Sequence, residues 1–153
     1  MNASTQNPAA VPTGKFVEVA IALVFNDQDQ LLICRRKKDA VLGGFWEFPG
    51  GKCNPGEEPQ ACARREVLEE TALTVTVSRS LDLIEHEYPH AKVRLHPFVC
   101  RLSAGTLQLL EVAEAKWIDP STLLNYQFPA ANTSLIKRAA EGLSALMEFP
   151  SPH

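Results

Sequence analysis

From Lys15 to Phe25 the apolar positions first alternate weakly and then run unbroken, the pattern of a central strand buried on both faces. The polar run Asn26-Asp27-Gln28-Asp29 marks a turn, and Gln30 to Arg35 returns as the hairpin partner. Thr74 to Glu87 is a long β-branched segment, turned by Pro89-His90-Ala91. Lys92 to Leu102 then runs back with Val93, Leu95, Pro97 and Val99 alternating. Lys116-Trp117-Ile118 reads as a short strand ending at Asp119-Pro120, an N-cap followed by proline at the first helical position, with a short helix reaching Leu124. Leu135, Ile136, Ala139, Leu143 and Leu146 recur at helical spacing and predict an amphipathic helix from about Thr133 to Met147. Residues 1–14 and 149–153 show no period and are expected to be a flexible tail and a loose end.

The stretch from Gly50 to Leu73 departs from this apolar rhythm. Pro59 suits a first helical turn, Glu57 and Glu58 suit its positive end, and Ala61 to Leu68 are good helix formers. At about 100° per residue, Glu70 lies about 40° to one side of Glu66 and Glu69 about 60° to the other, so three carboxylates share one narrow face. Like charges so placed repel by about 0.2–0.5 kcal/mol per pair. The negative helix C-terminus adds about 0.3–1 kcal/mol against Glu69 and Glu70. A Glu-rich face of this kind is ordinarily solvated and partly neutralised, here by Arg64 and Arg65. Cys62 and Leu73 on the same face point instead to a partly covered cleft wall. Clustered carboxylates without a His or Cys pattern are hard oxygen ligands suited to Mg²⁺ or Mn²⁺, with positions left for water and substrate phosphates.

Length and charge narrow the picture. A chain of 153 residues, 45% hydrophobic and 22% charged, supports one domain, expected over 15–148. Fifteen basic against 18 acidic residues leave a net charge of -3, which gives no footprint for long nucleic acid. Cys34, Cys53, Cys62 and Cys100 form no C-x-x-C pair and are expected as small buried hydrophobes. With no leader-like start and no apolar run long enough to span a bilayer, the expected location is cytoplasmic, with no membrane partner and no obligate protein partner. The basic run Arg35-Arg36-Lys37-Lys38 leaves the second strand either as a solvated strand end or as a phosphate contact. His86, His90 and His96 lack zinc spacing and are expected at the surface or across strands.

Gly51, Glu57, Arg65, Glu66, Val67, Glu69, Glu70 and Leu73 stand in the order of the Nudix hydrolase signature, which the stretch resembles. The one departure is Ala72, where the family carries glycine just past the helix. The resemblance implies a Nudix α/β fold, a mixed β-sheet sandwiched between helices. It also implies Mg²⁺ (or Mn²⁺) held by the Gly50 carbonyl, Glu66, Glu69 and Glu70. By resemblance to the MutT branch, Glu111, six positions before Trp117, completes the metal site from a loop. Glu66 is the leading general base with Glu111 second, and Arg65 orients Glu66. Arg36, Glu47 and Asn132 would contact substrate. Asn132, in the segment FPAAN, would read a purine base; taken alone, it would serve equally well as a helix N-cap. The implied reaction is hydrolysis of a nucleoside triphosphate to monophosphate and pyrophosphate, foremost 8-oxo-dGTP. The alternatives are a cytidine or modified pyrimidine nucleotide, a nucleotide-binding module without turnover, and a reader of oxidised guanine in DNA.

Overall fold

A computed structural model describes residues 15–39 and 43–148. The expected tail over 1–14 and loose end over 149–153 lie outside the described residues. At the centre is β1 (Val17–Phe25), whose last six residues are buried. It pairs in parallel with β7 (Ala91–Ala104) along its whole length, Val17 opposite Val93 and Phe25 opposite Arg101. This one parallel pair among antiparallel neighbours makes the sheet mixed. Alternate β1 side chains feed two cores, which is why the run reads as continuously apolar. Ala20, Ala22 and Val24 pack with Cys62, Ala63 and Val67 of α1 (Pro59–Thr71) on one face. Ile21, Leu23 and Phe25 pack on the other with Leu135, Ile136 and Ala139 of α2 (Thr133–Ala139) and with Leu146 of α3 (Leu143–Met147). The layers are those of an α/β/α sandwich.

The site arises where β1 and β2 (Leu31–Arg35) part. Their hairpin is paired at Phe25 and Leu31, across a turn in which Asn26 Oδ1 accepts the Gln28 and Gln30 N–H groups. A strand residue has two edges. Leu31 pairs with both Phe25 and Ile118, and Cys34 with both Glu47 and Ala115, so β8 (Glu114–Ile118) runs along one edge of β2. The other edge passes from β1 to β3 (Trp46–Glu47). Meanwhile β4 (Gly50–Lys52) takes the edge that β1 has left, Ile21 opposite Gly50. Residues 46–52 therefore fill the wedge between the diverging strands and carry Glu47, Gly50 and Gly51 into it.

Two expected elements are divided. The segment Thr74–Glu87 forms β5 (Thr74–Ser80) and β6 (Ile84–Tyr88), both antiparallel to β7 on the same edge. Pro97 explains the gap: its carbonyl accepts the Leu81 N–H at 2.9 Å, but it has no N–H to return, so the ladder lapses between Ser80–Phe98 and Ile84–Leu95. The helix expected over 133–147 is interrupted: α2 stops at Ala139, and α3 starts after Gly142, whose φ of 101° suits glycine. The short helix after Pro120 is a 3-10 helix, Pro120–Asn125, capped by Asp119, which accepts the Ser121 N–H. No helix among the described residues is long and apolar enough to cross a membrane.

Candidate active site

Gly51 sets how close β4 comes to α1. A Cβ there would lie 2.6 Å from the Glu66 carboxyl, so any side chain would displace it. At Gly50 a Cβ would meet the Ala20 carbonyl oxygen at 2.1 Å, so glycine also lets β4 seat against β1. The Gly50 N–H then donates to Glu70 Oε1 at 3.2 Å.

Arg65 gathers the acidic side chains of the signature. Its Nε and Nη2 grip Glu57 as a fork at 2.8 and 3.0 Å, and Nη1 donates to Glu66 at 2.9 Å and to Glu69 at 3.0 Å. Nη2 also reaches the Lys52 carbonyl. Such charge-assisted contacts are the strong class of hydrogen bond. They push Arg65 further up, and they hold Glu57, which also accepts the Asn54 N–H, down to about 2. Glu57 is thus a buttress of the network rather than a helix-end charge. The spacing Glu57–Arg65 exceeds the i,i+3 and i,i+4 neighbours of a helix, so periodicity gave no sign of this role.

Glu47, Glu66 and Glu70 face one another; Glu66 has Arg65 and Glu47 has Arg36, whereas Glu70 has the Gly50 N–H. Glu70 is 8% exposed; burial pushes its carboxyl up to about 9, helped by the charge of Glu47 and resisted by the Gly50 N–H. Burial likewise raises Glu47 to about 7, although Arg36 Nε lies 2.9 Å from it and lowers it, while Glu66 pushes it up. Glu69 is turned outward to Arg65, its side chain 46% exposed. As they stand, no three Asp, Glu, His or Cys side chains among the described residues converge closely enough to hold an ion. Glu111 lies in the loop between β7 and β8, exposed, its own N–H on the Glu70 carbonyl at 3.3 Å. The same loop covers the end of α1 through Gln108 N–H to Thr71 O and Leu110 N–H to Glu70 O, at 2.9 and 3.0 Å. It thereby satisfies carbonyls that a helix leaves bare. Ala72 takes the left-handed conformation itself, φ 66°, its N–H on Leu68 O at 2.9 Å.

Beside the carboxylates opens a cleft of about 300 Å³ between the sheet and the segment after Tyr126. Arg36, Glu47 and Gly50 line the end nearer the carboxylates, Val19 and Leu95 contribute to its sheet wall, and Asn132 lines the same cleft. The segment is fastened by Trp46 N–H to Gln127 O at 2.9 Å and by the ring pairs Trp46–Tyr126 and Phe48–Phe128 at 5.2 and 5.1 Å. Asn132 is 9% exposed and its side chain makes no capping bond to α2. Its Nδ2 reaches only the Pro129 carbonyl, at 3.5 Å. Of the residues singled out in the sequence, the structure brings Arg36, Glu47, Gly50 and Asn132 to one cleft, with Glu66 and Glu70 against its β4 wall. Glu69 and Glu111 stand apart. Tyr88 and His90 also line the cleft and were not foreseen as site residues; the hydrophobic pattern marked only a turn there.

A mixed sheet in a three-layer sandwich sets an acidic helix against the glycines of β4, beside a cleft. The chain belongs to the Nudix family: the family model described as NUDIX domain matches residues 20–138. Among curated relatives, 8-oxo-dGTP diphosphatase of Escherichia coli (strain K12) is 28% identical over 124 residues, 81% of this chain and 96% of that protein. CTP pyrophosphohydrolase of the same organism is 29% identical over 123 residues, 80% of this chain and 90% of that protein. Among solved structures, the MutT protein of Methanosarcina mazei Go1 superposes with a TM-score of 0.75 at 25% identity, covering 86% of this chain and 97% of that one. The protein is a MutT-like Nudix hydrolase.

Proposed function

We propose that this hydrolase cleaves nucleoside triphosphates to monophosphate and pyrophosphate with a divalent cation, and that its preferred substrate is 8-oxo-dGTP. The observation that carries the base assignment is Asn132: buried at the cleft, with an amide that caps no helix. Guanine offers two adjacent acceptors, N7 and O6. 8-Oxoguanine bears a proton on N7 and so offers a donor beside an acceptor, which an Asn carbonyl and NH₂ match. Unmodified guanine would set the Asn carbonyl against a lone pair, and an unpaired buried polar group is a strong basis for discrimination.

The residues fit a divalent cation. Glu66 and Glu70, beside Glu47, are hard oxygen donors; burial, and after it the neighbouring carboxylates, leave Glu70 hard to ionise, and burial does the same to Glu47 despite Arg36. Glu66, Glu70 and the Gly50 carbonyl would hold it, and Glu69, here paired with Arg65, and Glu111, here exposed in its loop, would have to turn in to join them. When bound, Mg²⁺ or Mn²⁺ neutralises the phosphate oxygens and eases attack by water. The chain's own groups do the rest. Arg36 binds phosphate through its planar guanidinium, and Glu47 holds that guanidinium at 2.9 Å. Glu66 takes the proton of the attacking water, and Arg65 fixes its carboxylate from 2.9 Å. Glu111 is the alternative base.

The cytidine reading has its own support in the likeness to CTP pyrophosphohydrolase. Asn132→Ala tests the base assignment. On the 8-oxo-dGTP reading the variant loses about 10-fold or more in kcat/KM for 8-oxo-dGTP and much less for dGTP, with the Mg²⁺ dependence unchanged. Equal losses on both nucleotides would reject the assignment of Asn132.

A further inference from the structure

The hairpin of β6 and β7 closes between Tyr88 and Ala91, at the rim of the cleft. Tyr88 is half-buried against the core on the α2 side, and its hydroxyl oxygen accepts the Ala131 N–H at 3.0 Å across 43 residues of chain. Ala131 sits in the 3-10 turn Ala130–Asn132, where a first-turn N–H has no carbonyl of its own helix to meet. Ala131 is also 5% exposed, so this donor depends on an outside acceptor. The Tyr88 ring is fixed in turn: it stacks on His90, centroids 5.4 Å apart and 15° from parallel, and meets His86 edge-on at 4.5 Å. The next residue is Asn132, whose side chain has only the 3.5 Å contact with Pro129 to orient it. The phenol is thus a strut between the sheet wall and the backbone that carries the base-reading amide.

We propose that Tyr88 is a positioning residue for base recognition. By holding the Ala131 N–H it sets the distance and orientation of the Asn132 amide relative to the β6–β7 wall, and so sets how well a base fits between them. This role rests on the reading of Asn132 given above. Tyr88 lies in the cleft rather than among the carboxylates, so its effect falls on binding of the nucleoside and not on the hydrolytic step.

Tyr88→Phe keeps the ring and its packing and removes the acceptor alone. The test is a double-mutant cycle of wild type, Tyr88→Phe, Asn132→Ala and the double variant. KM and kcat are measured for whichever nucleoside triphosphate the wild type hydrolyses best. Loss of one hydrogen bond that orders a binding group predicts a rise in KM of about 10-fold for Tyr88→Phe, with kcat within about twofold. If Tyr88 acts through Asn132, adding Tyr88→Phe to Asn132→Ala changes KM by less than about twofold. A KM unchanged by Tyr88→Phe while Asn132→Ala raises it would overturn the positioning role alone. So would effects of the two substitutions that simply multiply. An Asn132→Ala enzyme with unchanged KM would overturn both this role and the base assignment on which it rests.

Discussion

At the level of single residues the site is an exercise in opposed charge. Arg65 satisfies Glu57, Glu66 and Glu69, whereas Glu70 is left 8% exposed beside Glu47 and Glu66 with one backbone N–H for support. Glu70→Gln should separate stability from activity. The amide can still accept from Gly50 and has no proton to hold against an unfolded value of 4.5, so the metal-free variant unfolds at a higher temperature at pH 8 than the wild type. Turnover meanwhile falls by about 10² to 10⁴, as does that of Glu66→Gln. Thermal melts with chelator, paired with steady-state assays, check both halves. Full turnover in either variant would contradict the site. The acidic face was legible in the sequence because helical geometry alone aligns Glu66, Glu69 and Glu70. The outward turn of Glu69 is an i,i+4 pairing with Arg65 that the spacing permits but does not choose, and the buttressing by Glu57 was hidden because it depends on Arg65 reaching the loop between β4 and α1.

Among the elements, the exit of α1 shows how a departure from a family pattern is absorbed. Ala72 adopts φ 66°, a conformation that costs an alanine about 1 kcal/mol, and the β7–β8 loop seals the carbonyls of Glu70 and Thr71 just before it. Ala72→Gly should therefore stabilise the protein by about 0.5 kcal/mol, the strain relieved less the entropy that glycine adds to the unfolded chain. Gly105→Ala should cost about 1–3 kcal/mol: φ is 100°, and the new Cβ would lie 2.6 Å from the Ala72 oxygen. Denaturant titrations measure both. Because Gly105 begins the loop that carries Glu111, the second variant also tests whether that loop matters to turnover. Outside residues 46–52, whose two strands are too short to show a period, strand and helix types followed from the local sequence pattern, and β1 with its unbroken apolar run was the clearest. The division of β5 from β6 escaped that reasoning, since it follows from which edge of β7 Pro97 faces, a fact of pairing and not of local pattern. Gly142 was a local sign of the break between α2 and α3, outweighed by the apolar period running through it.

For the molecule as a whole, the carboxylates make stability, pH and cation binding one problem. Glu47 and Glu70 have folded values of about 7 and about 9, above the ordinary 4.5. Raised carboxyls mean that the folded state holds the proton more tightly, so their contribution is complete below about pH 4.5 and is lost as pH climbs through 7 and then 9. Glu57, lowered to about 2, acts oppositely: its contribution is present above 4.5 and fades as pH falls toward 2. The metal-free protein is accordingly expected to melt at a lower temperature at pH 9 than at pH 6. Added Mg²⁺ should raise the midpoint more at pH 9, where fewer protons must be displaced for it to bind. A Mg²⁺ shift that is the same at both pH values would contradict the coupling. The substrate is decided by kcat/KM with Mg²⁺ for 8-oxo-dGTP beside dGTP, CTP and dCTP, following pyrophosphate release. A preference of several orders of magnitude for 8-oxo-dGTP is expected; equal or greater activity on a cytidine nucleotide would contradict the reading of Asn132 while leaving the carboxylate chemistry in place.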